Sequence, residues 1–335
     1  MSGGGGRFAV VGAGIAGLAC ARALSEAGAA VTVFELEAFP GGRAATLISG
    51  AGPCDHGAQY FTASDRRFAA VLQRWLSAGV AQNWTGRIVA FENGSMQDKS
   101  DSARRFVGVP GMRRLGVDLT QGIEVRYSAP VAELRRGAAG WQLRGEGEEG
   151  DGAGPFDAVL LAVPSPAAAW LADGLTPLAE VAAAVRWDPC WAVVMAIGQR
   201  SGAGFEGAFV NDDPILGWAA LDSAKPRRGQ VDGVAERWVL HARPQWSSRY
   251  AELDEQDVIY WVVRSFAARL RRNLTPLYAK AVRWRHATPV NPLPQPCLWD
   301  GAQRLGMAGD WCGGPRIEGA FLSGLALAEA ALRRT

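Results

Sequence analysis

Three histidines, three lysines and five cysteines in 335 residues leave this chain short of the side chains from which most metal sites and acid–base dyads are built. The cysteines (Cys20, Cys54, Cys190, Cys297, Cys312) form no CxxC pair and fit no zinc spacing. An odd, scattered set argues against a disulfide framework and for a reducing compartment. No Ser-His-Asp arrangement is legible either. An excess of one charge is also lacking. Thirty-five basic and 33 acidic side chains, spread along the chain, leave a formal +2, so the electrostatic footprint of a nucleic-acid binder is missing. No apolar run reaches the roughly 18 residues of a membrane span. The longest, "AVLLAVPSPAAAWLA", is broken by Pro164 and Pro166. The opening "RFAVVGAGIAGLACARAL" has the short basic region and apolar core of a signal peptide. Its glycines, however, recur at a nucleotide-loop spacing and the amphipathic pattern continues beyond it, so it reads as mature fold. The expectation is a cytoplasmic protein with a small-molecule substrate, no nucleic acid and no membrane partner. Its oligomeric state is not legible.

What the chain does have is glycine, 42 of them, and 48% hydrophobic residues, enough for a sizeable core and two domains. Phe8 to Val11 are apolar and β-compatible, Gly12-Ala13-Gly14-Ile15-Ala16-Gly17 follows, and "LACARALSEAG" repeats apolar residues at helical spacing until Gly28. This is strand, turn, helix. Gly12 permits the tight turn, Gly14 lets the backbone approach a pyrophosphate, and Gly17 lets helix and strand pack closely. "AAVTVFE" supplies a second strand ending in Glu35, whose carboxylate can accept hydrogen bonds from an adenosine ribose and disfavours a 2′-phosphate.

This loop alone does not separate FAD from NAD, since both carry adenosine diphosphate. The residues that follow do. Pro40-Gly41-Gly42-Arg43 places a tight turn and a guanidinium able to bridge a pyrophosphate just after the ribose acid. At this point the chain resembles the flavin-dependent amine oxidase superfamily. Two further segments, Asp55-His56-Gly57-Ala58-Gln59-Tyr60-Phe61-Thr62 and Trp238 to Ser247, are similar to the bacterial renalase-like branch of that superfamily. Trp218 to Arg228, "WAALDSAKPRR", is similar to a third segment of that branch, from which Asp222 and Arg227 depart. The resemblance covers nearly the whole chain. It implies an α/β fold: a Rossmann-like FAD-binding domain of the glutathione reductase/amine oxidase type with an inserted substrate domain of antiparallel sheet plus helices.

It also implies noncovalently held FAD, contacted by Ala16, Arg43, the Gln59-Tyr60 pair beside the isoalloxazine, and Val131 near the adenine. From the residues themselves, Ala58 and Gly57 allow close approach, and the Gln59 amide can both donate to and accept from a flavin edge. Tyr60 and Phe61 read equally as core aromatics. Late in the chain, "RLGMAGD" reads as a short strand ending in Asp310, similar to the superfamily's Gly-Asp motif. Cys312, before Gly313-Gly314, reads as a small packing residue. A helix starting near Arg316-Ile317-Glu318 would point its positive end at the reduced flavin, with Glu318 turned away. The two glycine loops then serve the two ends of one flavin.

The implied domains are 1–63, 108–164 and 284–335 for FAD, and 64–107 with 165–283 for substrate. Most of the 13 tryptophans lie in or beside the latter, either as core or as the walls of a pocket for a planar ring. By resemblance the reaction is hydride transfer from a 2- or 6-dihydronicotinamide isomer to the flavin, with dioxygen reoxidising it to give hydrogen peroxide. Tyr60 and His241 are the candidate catalytic residues. His241 reads either as a hydrogen-bond partner of the substrate or as a satisfied core histidine. A flavin amine oxidase, with Lys225 or Lys280 near the flavin, and a noncatalytic flavin-binding sensor are the alternatives. No metal is expected.

Overall fold

The computed structural model describes residues 6–145 and 152–333. Its first sheet follows from the N-terminal pattern. The strand Arg7–Val11 is buried from Phe8 onward. Gly12 then turns the chain at φ +101°, where a Cβ would meet the Ala162 carbonyl oxygen at 2.7 Å. The helix Ile15–Glu26 and the strand Ala30–Phe34 follow. The strand order is Leu298–Asp300, Leu305–Met307, Ala158–Leu161, Arg7–Val11, Ala30–Phe34, Glu124–Arg126. All neighbours run parallel except the first pair. The apolar run near residue 160 is the central strand Ala158–Leu161, with every residue buried, as a strand covered on both faces must be. A three-stranded antiparallel sheet (Glu133–Gly137, Gly140–Arg144, Ala153–Phe156) precedes it. The polar Gly/Glu turn expected after Arg144 falls on residues 146–151, outside the described residues.

The helix Ile15–Glu26 packs along the last helix, Ile317–Leu332. Their approach is so close that a Cβ on Gly324 would sit 2.0 Å from the Ala16 carbonyl oxygen. Only glycine permits this contact, which sets the first turn of the first helix against the middle of the last.

The second large sheet is seven-stranded, in the order Tyr278–Pro289, Trp187–Ile197, Glu236–Ala242, Leu216–Leu221, Gly207–Val210, Ile88–Glu92, Ser95–Asp98. It is antiparallel apart from the pair Gly207–Val210 and Ile88–Glu92. The strand Tyr278–Pro289 runs unbroken through position 284 and Arg105–Gly108 through 108, so two of the boundaries read from sequence fall inside strands. Alternation sorts the faces. Trp238 and Leu240 pack with Val258, Val262 and Phe266 of the helix Glu255–Leu270, which Asp254 caps by accepting from the Asp257 N–H. Val239 faces the other way, onto Cys54 of the hairpin strand Gly52–Asp55. Cys312 is buried in apolar surroundings, in keeping with a packing role.

Where this hairpin meets the segment after Leu221, four charges are fully buried. Lys225 Nζ lies 2.8 Å from Asp222 Oδ1 and 3.7 Å from Asp55 Oδ2, and Arg228 Nε lies 3.2 Å from Asp222 Oδ2 while its Nη2 donates to Asp55. Asp55 Oδ1 also accepts from Thr46 Oγ1 (2.7 Å) and the Met112 N–H (2.8 Å). Arg228 Nη1 donates to the carbonyls of Gly108 and Pro110. Two positive charges balance two negative ones. Burial pushes the Asp222 carboxyl up, but Lys225 and Arg228 outweigh it and hold it below the usual range. Burial, with the Asp222 charge adding to it, pushes Asp55 above that range.

Two substitutions measure these constraints. Lys225→Met removes one charge from a closed set, so thermal or denaturant unfolding is expected to show a loss of about 3–5 kcal/mol. Gly324→Ala is expected to cost about 1–3 kcal/mol through forced separation of the two helices. Gly50→Ala, with nothing within 4 Å of the new Cβ, is the control and should stay within about 0.5 kcal/mol.

Candidate active site

Gly14 caps the first helix without a side-chain hydrogen bond, and nothing lies within 4 Å of where its Cβ would be. Backbone N–H groups there are open to an anion. Gly17 is required for a different reason, since its Cβ would strike the Gly12 carbonyl oxygen at 2.0 Å. Ala16 follows Ile15 in the first helical turn, where its carbonyl meets Gly324. Glu35 is buried, and its carboxylate accepts from the Ala13 N–H (2.5 Å) and the Glu37 N–H (2.9 Å). Burial raises its pKa, opposed by these hydrogen bonds. The Ala129 N–H reaches the Glu35 carbonyl (2.9 Å), which brings the half-buried Val131 to the same end of the sheet.

Gly41 and Gly42 close over this loop. The Gly41 N–H donates to the Ala13 carbonyl (2.8 Å), and Gly42, at φ +54°, stands where a Cβ would be 3.2 Å from Gly14 Cα. Arg43 then meets the second glycine loop. Its Nη1 and Nη2 bind the two oxygens of Asp310 at 2.9 and 2.6 Å, Nη1 also donates to the Ala287 carbonyl, and the guanidinium lies 5.0 Å from the Trp187 ring centre. Two residues expected to hold one ligand separately are thus locked to each other. The strand before them ends at Met307 rather than at Asp310, because the Gly309 N–H leaves the ladder for Ser323 Oγ (3.0 Å). Gly313 and Gly314 both have positive φ, and Gly314 faces open space. Ile317 opens the last helix, which likewise has no side-chain cap. Glu318 turns toward the start of the neighbouring helix, accepting from the N–H groups of Ser64 (2.6 Å) and Asp65 (2.7 Å). Two helix N-termini without side-chain caps, each preceded by a glycine with open space at its Cβ, fit an extended, negatively charged dinucleotide.

The segment after Arg43 reaches the second sheet. The Ala58 N–H donates to the Arg43 carbonyl (2.9 Å), and a Cβ on Gly57 would strike that same oxygen. The Gln59 amide, expected at a flavin edge, is hydrogen-bonded within the protein. Its Nε2 donates to the carbonyls of Asp55 and Gly57, and its Oε1 accepts from Lys225 Nζ at 3.2 Å. The buried charge cluster holds it there. Tyr60 is half-buried among Trp84 (ring centres 6.2 Å apart) and Trp218 (5.7 Å), and Phe209 packs edge-on to Trp218 at 4.7 Å. Phe61, by contrast, is core, against Phe68, Trp75 and Phe106.

His241 sits opposite Trp218 on adjacent antiparallel strands, so both project from the face that Tyr60 meets. Its Nε2 is buried and has no partner within the protein, as are His56 Nδ1 and Trp218 Nε1. Burial, reinforced by the Lys225 charge, pushes the His241 pKa down to about 4. His56, stacked 5.2 Å from Trp284, is likewise held at about 4 by burial and the Arg113 charge. Both rings are neutral at pH 7. His286 packs edge-on against Trp187, apart from this group.

The sequence reading singled out Tyr60 and His241 separately but missed what surrounds them: Trp84, Arg105, Trp218 and the cluster of Asp55, Asp222, Lys225 and Arg228. A usable signal was present, since Asp222, Lys225 and Arg228 recur at a spacing of three in an otherwise lysine-poor chain. Among the described residues no group of three potential metal ligands occurs, and no helix is long and apolar enough to cross a membrane.

Comparisons with known proteins bear on the fold and the family. The NAD(P)-binding Rossmann-like domain matches residues 10–75. Three solved structures share the fold at low identity. Cyclohexylamine oxidase from Brevibacterium oxydans IH-35A is 13% identical with a TM-score of 0.70, over 97% of this chain and 98% of that one. Putrescine oxidase bound to putrescine is 14% identical with a TM-score of 0.75, over 98% and 99%. Reduced UDP-galactopyranose mutase is 10% identical with a TM-score of 0.75, over 97% and 95%. The flavin containing amine oxidoreductase family matches residues 74–332, most of the chain, and the protein belongs to that family, which implies a flavin cofactor and an oxidoreductase.

Proposed function

We propose that this enzyme binds FAD noncovalently and oxidises a 2- or 6-dihydronicotinamide isomer of NAD(P) to β-NAD(P)+, with dioxygen as the final acceptor. The observation that carries the reading is the aromatic group of Tyr60, Trp84 and Trp218 with the neutral His241, its Nε2 without a partner in the protein, beside it. Its walls suit a flat, uncharged ring, and FAD would supply the hydride acceptor. In this reading the chain's own work is positioning. Tyr60 and Trp218 orient the donor ring, His241 hydrogen-bonds a substituent, and the Gly14 and Ile317 helix ends hold the phosphate and flavin ends of the cofactor. Two buried thiols support noncovalent binding, since burial keeps Cys54 and Cys312 protonated and poorly nucleophilic.

Oxidation of an amine is the second reading. It is favoured by the structural likeness to cyclohexylamine and putrescine oxidases and by the lysine beside Gln59. Against it, Lys225 is held by two carboxylates with no exposure. Mixing flavin-loaded enzyme anaerobically with 6-dihydroNAD and, separately, with a panel of amines decides between them. Bleaching by the dihydronicotinamide alone is expected, and bleaching by an amine alone rules the proposal out. His241→Phe should slow bleaching by about tenfold, the loss of one substrate hydrogen bond.

The neutral histidines also fix a pH dependence. His56 and His241 take up protons near pH 4 when folded but near pH 6.5 when unfolded, so the unfolded chain binds more protons between those values. Stability is therefore complete above pH 6.5 and falls as pH drops toward 4, by up to about 3 kcal/mol per histidine. Thermal melts between pH 7.5 and 4.5 should show this decline, with a shallower slope for His241→Gln.

A further inference from the structure

Trp84 and Arg105 are direct cross-strand partners, which puts the Arg105 guanidinium beside the aromatic pocket, 5.4 Å from the Tyr60 ring centre. Arg105 is 4% exposed. Its Nη atoms donate to the carbonyls of Ser100 (3.2 Å), Ala103 (3.1 Å) and Lys99 (3.4 Å) and to Ser102 Oγ (2.8 Å). All these acceptors are neutral. No carboxylate lies within ion-pair distance of it among the described residues, and its Nε–H is buried without a partner. On the same Tyr60 ring lies Trp218, 8% exposed, whose Nε1–H is also unpartnered. The contrast within the pocket is informative, because the other indole N–H, that of Trp84, is taken by Glu206 at 3.2 Å.

Indole and guanidinium nitrogens donate and never accept. Two such buried donors against one ring, one of them charged, call for an acceptor oxygen, and leaving them unmatched is costly. A cation finds the reverse. The ring faces that would attract it are engaged, Tyr60 by Arg105 and Trp84 by Lys225 Nζ at 5.6 Å from its ring centre. His241 Nε2, beside Trp218, is a neutral imidazole nitrogen able to take an N–H next to that oxygen.

We infer that the Tyr60 pocket is a recognition subsite for a planar ring bearing a carbonyl oxygen, as in an aromatic carboxamide, and that Arg105 and Trp218 make it reject ammonium groups. This rests on the pocket being the substrate's, as proposed above, and names the group by which the substrate is selected.

The test uses flavin-loaded enzyme at pH 7.5, titrated with benzamide and with benzylamine, which is protonated there, while flavin absorbance and tryptophan fluorescence are followed. Benzamide is expected to bind at least about tenfold more tightly than benzylamine. Trp218→Phe should weaken benzamide by about fivefold and change benzylamine by less than about twofold. Arg105→Gln should narrow the preference to within about threefold while Arg105→Lys keeps it. If Arg105→Gln fails to fold, Trp218→Phe decides alone. Equal or tighter binding of benzylamine by the unaltered enzyme, or an unchanged benzamide affinity in Trp218→Phe, overturns the inference. Enzyme bleached by 6-dihydroNAD but without the benzamide preference overturns the subsite alone. Preference without bleaching keeps the subsite and overturns the substrate.

Discussion

The rest of the molecule depends on the neutral set of Asp55, Asp222, Lys225 and Arg228, buried where the hairpin after Arg43 meets the second sheet. Four charges without solvent are tolerable only because their sum is zero and each finds several partners; removing one leaves an uncompensated charge. Their geometry is propagated in two directions. Asp55 fixes the Met112 N–H and so the start of the helix after residue 112, while Lys225 fixes the Gln59 amide. Tyr60 follows directly in the chain, so the aromatic group inherits its position from the cluster, which also meets it where Lys225 Nζ lies 5.6 Å from the Trp84 ring centre.

A second constraint is purely steric. The first and last helices approach until Gly324 meets the Ala16 carbonyl, and Gly319 is required by Gly314 in the same manner, with 2.0 and 2.2 Å to a built Cβ. Glycine here serves contact rather than flexibility. It brings together chain segments some 300 residues apart, and the Arg43–Asp310 ion pair spans the same junction. Two loops that each look like a nucleotide site are thereby tied to one another.

The nucleotide half was legible because its signals are local. Strand, Gly12-Ala13-Gly14-Ile15-Ala16-Gly17, helix and Glu35 follow within one βαβ unit, and periodicity alone identifies each piece. The central strand Ala158–Leu161 was visible as an unbroken apolar run for the same reason. Boundaries within the second sheet were not. Tyr278–Pro289 alternates and lacks a Gly or Pro break at 284, so nothing local marks where one region gives way to the other. The pocket was half legible. Tyr60 and His241 lie in recognisable segments, whereas Trp84 and Arg105 come from two non-consecutive strands, Ala81–Trp84 and Arg105–Gly108, and their relation to Tyr60 exists only through long-range strand pairing. Gln59 shows the limit most clearly. Its amide oxygen accepts from a lysine 166 residues away, a contact invisible in local sequence.

Fold alone leaves the chemistry open, since the same architecture carries amine oxidases and a sugar-nucleotide mutase at similar structural distance. What can differ between them at constant backbone is the electrostatics of the substrate pocket. An amine substrate arrives as a cation and is served by aromatic faces left free to attract it. Here Arg105 and Lys225 stand over those faces, His241 and His56 are neutral, and among the described residues the acids joined to this group are those balanced within the buried cluster and Glu206 at the Trp84 indole N–H. A neutral ring meets no such opposition on entry. On the proposed reading the oxidised ring is a pyridinium, a cation that faces the same buried Arg105 and Lys225, so one arrangement of charges, set by residues outside the motifs that define the family, would serve both selectivity and product release.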